Sequence, residues 1–438
     1  MTAEQDLVDF VTSQRWYGSK TRSVNRAEVL DRAVLRGDEP TLELQLVDLR
    51  FDTGTHETYQ LVVGDSLDAL DDPRGVRELV HMIRGGARVS AQHGVVEFVA
   101  AEGFAGAGPE LRDARTVGAE QSNSSIVFDE ELILKVFRRL SPGINPELEL
   151  LRFLTEHRFA NIAQLAGWYA YQGEPIDATL GILQRFVSDG TDGWELTLDT
   201  MADGAGGVLP LMRRLGEVTG EMHTVLACDP NDPTFAPEEP SVEALALLTA
   251  TVDEEIGQMF VDLPDDEPEL DAIRGRGEEV RERLRVLTNI GGMGRVIRHH
   301  GDFHLGQTMW ADGDWVLLDF EGEPARPLSE RRLKRSPLRD VAGMLRSFAY
   351  ASSVSGLVRG VVPPANWEED ARAEFLAGYL SAIDPWLVPS GSALDKLLAL
   401  FELEKAVYEL RYELNMRPEW LPIPVAGILR MLEEEPPA

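Results

Sequence analysis

Cysteine is almost absent from this chain of 438 residues: Cys228 stands alone. No intramolecular disulfide can form, thiolate zinc sites are out of reach, and a reducing, cytoplasmic setting is expected. No apolar run approaches the roughly 20 residues that cross a bilayer, and the opening Met1–Asp6 stretch does not read as a signal sequence. Lysine is scarce too, occurring only at positions 20, 135, 334, 396 and 405. Positive charge is short overall, since the formal net charge is -33. Such a surface repels polyanions, which excludes nucleic acid as a partner and fits a soluble monomer acting on small molecules. The phosphate-binding pattern G-x-x-x-x-G-K-[ST] is missing, as are a G-x-G-x-x-G loop and D-F-G, so Walker-type and protein-kinase sites are not expected.

What is present centres on His300–Glu323. An apolar run, Trp315–Leu318, follows the Asp312-Gly313-Asp314 turn and reads as a short buried strand of a hairpin. Polar residues gather at both ends: His300, Asp302 and Gln307 before it, Asp319 and Glu321 after it. Because a hairpin doubles back, Gln307 and Asp319 can face one cation while Asp302 points at an attacking group. Two oxygen ligands plus a separate carboxylate base are the equipment of phosphoryl transfer from a magnesium nucleotide.

Upstream, Ala114–Val117 and Ser125–Phe128 flank a small polar loop, Gly118–Ser124. The backbone N–H groups of that loop, with Ser122 and Asn123, could approach phosphates. Lys135 lies inside the strand Leu132–Phe137, where an ammonium is costly without an anionic partner. A strand lysine facing phosphates and paired to a helix carboxylate is a kinase arrangement.

These motifs carry a resemblance. His-Gly-Asp with Gln307 five residues past the Asp, and Asp319-Phe320-Glu321, resemble the catalytic and magnesium motifs of kinases similar to aminoglycoside phosphotransferases. More narrowly, residues 300–307, 319–324 and Ser336–Phe348 resemble actinobacterial maltokinases and the related glucosamine kinases. The similarity runs from Gln14-Arg15-Trp16-Tyr17-Gly18 to Arg417-Pro418. It implies an α+β, bilobal, eukaryotic-protein-kinase-like (aminoglycoside phosphotransferase-like) fold with a β-rich N-terminal cap. The expected division is a cap at 1–105, a nucleotide-binding lobe with hinge at 106–187, and a mainly helical lobe at 188–438. The resemblance further implies ATP and Mg2+ as cofactors. Asp302 is then the base, and Gln307 and Asp319 are the metal ligands. Lys135 is oriented by Glu149, with Glu147 in reserve, and the hinge is Gln184–Val187, including Phe186. Asp192 or Asp199 is assigned to ribose. His300 is expected to fix its loop, and Arg339 and Asp340 to brace the hairpin.

For the acceptor, the helical stretch Leu394–Leu414 places Glu402, Glu409 and Glu413 near one face, with Tyr408 and Tyr412 beside them and Trp420 at its exit. Carboxylates beside aromatic rings suit a sugar, and an ammonium-bearing sugar above all. The competing reading is a solvated glutamate face supported by a Lys405–Glu409 pair. His304 and Glu321 complete the expected acceptor contacts. The resemblance covers kinases that phosphorylate glucosamine at its 6-hydroxyl and kinases that phosphorylate maltose at its anomeric hydroxyl. The acidic face inclines the expectation to glucosamine. A non-catalytic pseudokinase scaffold would lack the lysine, the base or a metal ligand, and all three are present.

Overall fold

The computed structural model describes residues 3–39, 41–106, 110–117, 123–203, 207–357 and 359–433. The chain forms two compact units, 1–189 with 326–328, and 190–325 with 329–438. No helix among the described residues is long and apolar enough to cross a membrane.

The first unit holds two antiparallel sheets. One orders β1 (Val24–Arg36), β2 (Leu42–Phe51), β3 (His56–Val63) and β9 (Arg139–Leu140). Alternating burial along β1 marks its single covered face, as expected of an antiparallel sheet packed on one side. The other sheet has seven strands in the order β4 (Arg88–Ser90), β5 (Gly94–Ala100), β10 (Leu165–Gly173), β11 (Ala178–Arg185), β8 (Leu132–Phe137), β7 (Asn123–Phe128) and β6 (Ala114–Val117). The ladder from Gly167↔Ala100 to Gly173↔Gly94 pairs β5 with β10, so this sheet draws strands from both sides of position 105. Contiguous β-branched and apolar residues keep β8 and β11 buried on both faces. The two sheets are joined where β3 meets β9 and where the Gln60 side chain donates to the carbonyls of Phe137 and Leu180.

Trp16 and Tyr17 form a packed corner rather than a ligand site. Both rings lie within 6.0 Å of Tyr59, and the Arg138 guanidinium covers Trp16 at 5.0 Å. Beneath them, buried Glu57 accepts from the Tyr59 hydroxyl at 2.6 Å and Ser19 Oγ at 2.9 Å. It also pairs with Arg22 at 3.0 Å and Arg139 at 2.9 Å. A carboxylate can be buried here because several donors replace its lost water.

The second unit is helical around a small sheet, β12 (Thr191–Asp192), β13 (Thr308–Ala311) and β14 (Asp314–Leu317). The helices Leu209–Leu226 and Trp367–Ala382 cross with their backbones nearly touching. A Cβ built on Gly216 would come within 2.0 Å of the Phe375 carbonyl, and one on Gly378 within 2.0 Å of the Arg213 carbonyl. Only glycine permits that approach. A short 3-10 turn at Pro268–Leu270 precedes the helix Gly277–Leu287, with Gly275 at φ +76° between them, a left-handed position that separates the two.

Replacing Glu57 by Ala strands Arg22 and Arg139 above a void. The expected cost is about 3 kcal/mol of stability, read as a lower urea midpoint by far-UV circular dichroism. An unchanged midpoint would show that Glu57 does not hold this corner.

Candidate active site

The hairpin forms because Asp312 (φ +52°) and Gly313 (φ +83°) adopt the doubly left-handed turn that matches strand twist. Its ladder runs from Thr308↔Leu317 to Ala311↔Asp314, and the Leu318 N–H continues it onto the Gln307 carbonyl at 2.9 Å. The sheet thereby brings Gln307 beside Asp319, whose carboxylate accepts from the Gln307 amide at 3.2 Å. Asp319 itself sits at φ +57°, a conformation few non-glycine residues adopt and one that recurs at working sites. Both side chains offer hard oxygen donors. Rotating the Gln307 amide exchanges its nitrogen for oxygen in place, so the pair fits a magnesium ion.

Asp302 lies on the loop preceding the hairpin, and that loop is held almost entirely through its backbone. Buried Asp340, near the start of the helix Leu338–Leu357, accepts the His300 N–H at 2.7 Å and the Gly301 N–H at 2.9 Å. Gly301 is at φ +87°, which favours glycine. His223 binds the same Asp340 carboxylate at 3.0 Å and Tyr379 at 3.1 Å, which ties the loop to the two glycine-crossed helices. Burial alone would raise the Asp340 carboxyl, but the imidazoles of His299, His223 and His300 outweigh it and hold the group well below the usual carboxylate range. His300 contacts the Leu318 carbonyl at 2.8 Å and packs between Phe303 and Phe320, so its role is to fix the loop.

The Asp302 carboxylate meets Lys405, on the helix Ser392–Met416, at 3.6 Å. This was missed in the sequence, where Lys405 was weighed only as a partner for Glu409. The signal available was the one that singled out Lys135, namely that lysine is rare in this chain. His304 turns its ring back to accept from the Gly306 N–H at 3.1 Å, and burial pushes its imidazole down.

In the first unit, Lys135 pairs with Glu147 at 2.9 Å, both buried. Glu147, the reserve choice, thus makes this pair, and Glu149 is buried on the same first turn after the Asn145 cap. Asn123 is buried at the start of β7, while Ser122 lies outside the described residues. Gln184 lies one residue before the end of β11, with its amide turned to the Ala163 carbonyl at 3.4 Å. The N–H of Arg185 binds Gln164 and that of Phe186 binds Glu131, whereas no backbone bond among the described residues engages the Val187 N–H.

Several expected contacts are otherwise employed. Asp192 caps the helix Gly193–Asp203, accepting from the N–H groups of Trp194 and Glu195, and Asp199 pairs with Arg359. Both carboxylates assigned to ribose thus have partners within the protein. Glu402, Glu409 and Glu413 are neither solvated nor available as an acidic face. They are buried in arginine forks from Arg372, Arg346 and Arg417. Glu409 thus ties its helix to the helix Leu338–Leu357 through Arg346. Trp420 packs against Tyr350 with Arg417 over its ring at 4.2 Å, so one stacking face is covered. Glu321 faces Arg331, at 3.2 Å through its carbonyl and 3.8 Å through its carboxylate. Of the acceptor set, Tyr408 stays near the base: it hydrogen-bonds Glu323, and Lys405 lies 5.0 Å from its ring centre.

Residues 10–89 match the maltokinase N-terminal cap domain and residues 113–322 match the phosphotransferase enzyme family. The chain is 26% identical to a glucosamine kinase of Mycolicibacterium smegmatis over 334 residues, spanning 74% of this chain and 80% of that one. It is 26% identical to a glucosamine kinase of Streptacidiphilus jiangxiensis over 347 residues, 76% of each. In three dimensions it is similar to a glucosamine kinase solved with glucosamine, ADP and inorganic phosphate. There the TM-score is 0.73 at 21% identity, covering 97% of this chain and 98% of the other. The matches define a phosphotransferase that uses an alcohol group as acceptor, on a fold like that of the solved glucosamine kinase. Within that class the chain is similar to glucosamine kinases and carries a maltokinase-type N-terminal cap.

Burial depresses the His299 imidazole to about 3, and its Nδ1 has no hydrogen-bond partner among the described residues, so the folded state keeps it neutral. The unfolded chain binds that proton near pH 6.5. Stability contributed by the neutral form is therefore full above pH ~6.5 and falls as pH drops toward 3, by at most ~1.4 kcal/mol per pH unit. Urea titrations at pH 6.5, 5.5 and 4.5 should show a shallower decline in His299→Phe than in the parent. Parallel declines would contradict a neutral His299.

Proposed function

We propose that this enzyme transfers the γ-phosphoryl group of ATP to the 6-hydroxyl of glucosamine. The observation that carries the kinase chemistry is the pairing of Gln307 with Asp319 across the hairpin, with Asp302 held separately on its braced loop. The bond from the acceptor oxygen to the γ-phosphorus forms as the bond from that phosphorus to the β–γ bridging oxygen breaks. The hydroxyl proton passes to an Asp302 carboxylate oxygen, and ADP leaves. Lys135, oriented by Glu147, binds the nucleotide phosphates, and the free N–H of Val187 suits an adenine ring edge. Gln307 and Asp319 would hold magnesium, which supplies charge neutralisation on the phosphates.

Support for glucosamine comes from the named relatives and from Asp302, Glu323 and Tyr408, two carboxylates and an aromatic ring gathered at one place. The wider acidic face gives no support, since arginines neutralise it. Maltose is the second reading, favoured by the maltokinase-type cap and by the Lys405 ammonium beside the base.

An ATP-consumption screen over glucosamine, maltose, glucose and N-acetylglucosamine should give turnover on glucosamine. Turnover on maltose alone would move the assignment to the second reading. Asp302→Asn should lower kcat by about 10²–10⁴-fold with nucleotide affinity nearly intact; retained turnover would remove Asp302 as the base. Glu147→Gln should raise the KM for ATP about tenfold, and Glu149→Gln should leave it near the parent value. The reverse pattern would restore Glu149.

A further inference from the structure

Among the described residues, the one side chain in ion-pair contact with the Asp302 carboxylate is Lys405. No arginine fork and no second amide crowds that carboxylate. The backbone N–H of Asp302 donates to His300 at 3.4 Å, and of the carboxylate only Oδ1 meets a partner among the described residues. A base needs this freedom, since one oxygen must stay open to the acceptor hydroxyl. It also creates a difficulty, because a carboxylate on a loop and held by nothing would sample several rotamers and face the substrate only part of the time.

Lys405 answers that difficulty, and its own surroundings explain why it is free to do so. Its natural partner one helical turn on is Glu409, as in ordinary i,i+4 pairing. Glu409 is instead gripped by the buried Arg346 guanidinium, at 2.7 Å and 3.0 Å, from the helix Leu338–Leu357. The lysine stem runs along Tyr408, its ammonium 5.0 Å from the ring centre, and Tyr408 is itself anchored by Glu323. The ammonium so aimed reaches Oδ1 of Asp302 at 3.6 Å, longer than a tight charge-assisted hydrogen bond and short enough to orient the group. It stays charged: burial opposes its charge, but Asp302, Glu409 and Glu323 outweigh burial and raise it.

We infer that Lys405 is a positioning residue for the proposed base: its ammonium takes Oδ1 of Asp302 and turns Oδ2 toward the acceptor hydroxyl. This rests on the kinase reading and adds to it a cation supplied from the acceptor-side helix. The ammonium belongs to orientation and charge at the moment of transfer, so its removal acts on kcat and spares ATP binding.

The test uses the full chain with ATP, magnesium chloride and glucosamine. Lys405→Ala should lose at least about tenfold in kcat with the KM for ATP unchanged. Ethylammonium, an amine that can occupy the vacated space, should restore part of that kcat in a saturable way. Lys405→Arg should retain more activity than the alanine variant, because it keeps a cation within reach of the carboxylate. A purely structural lysine would give a loss that ethylammonium does not relieve, and that outcome overturns the inference. So does a Lys405→Ala kcat within about twofold of the parent while Asp302→Asn is dead. If Asp302→Asn keeps full turnover, the base assignment falls and the positioning role falls with it, so the two failures are told apart.

Discussion

One buried carboxylate governs the geometry of the second unit. Asp340 gathers two backbone N–H groups from the His300–Gly301 turn and the imidazole of His223. Each of these bonds replaces water that burial removed, and the loss of any one would leave a charge poorly satisfied in a low-dielectric interior. The loop bearing Asp302 therefore has one stable conformation, set by a helix remote from it in sequence. A carboxylate on a loop could not otherwise be held in one place.

That constraint has its own foundations. His223 reaches Asp340 only because the helices Leu209–Leu226 and Trp367–Ala382 cross at glycine contact, which brings Tyr379 to the other ring nitrogen. Any side chain at Gly216 or Gly378 would push them apart. The neutral His299 beside this network adds bulk without a further charge. The polar centre is thus assembled by packing, and the hydrogen bonds register what the packing allows.

The acceptor-side helix Ser392–Met416 shows how a sequence pattern can mislead. Three glutamates at helical spacing suggested a carboxylate-lined sugar face, yet each meets an arginine: Arg372, Arg346 or Arg417. Two of these arginines come from other helices, so neither periodicity nor spacing within the segment could reveal them. The same pairing that removes Glu409 from the acceptor frees Lys405 for Asp302. By contrast, the hairpin and its turn were legible, because an Asp-Gly pair between apolar runs carries its own backbone preference. The strand around Lys135 was legible for the same reason: a charge in an apolar strand demands a partner.

The sequence by itself determined what depends on local chemistry. It placed the hairpin, set Asp302, Gln307 and Asp319 in order around it, and put the lysine in its strand. Tertiary structure alone decided the partners: Glu147 for Lys135, Lys405 for Asp302, and arginines for the acidic helix face. The reason is that a side chain's electrostatic partner lies a few ångströms away in space and at no fixed distance along the chain, so only the packed fold can choose it.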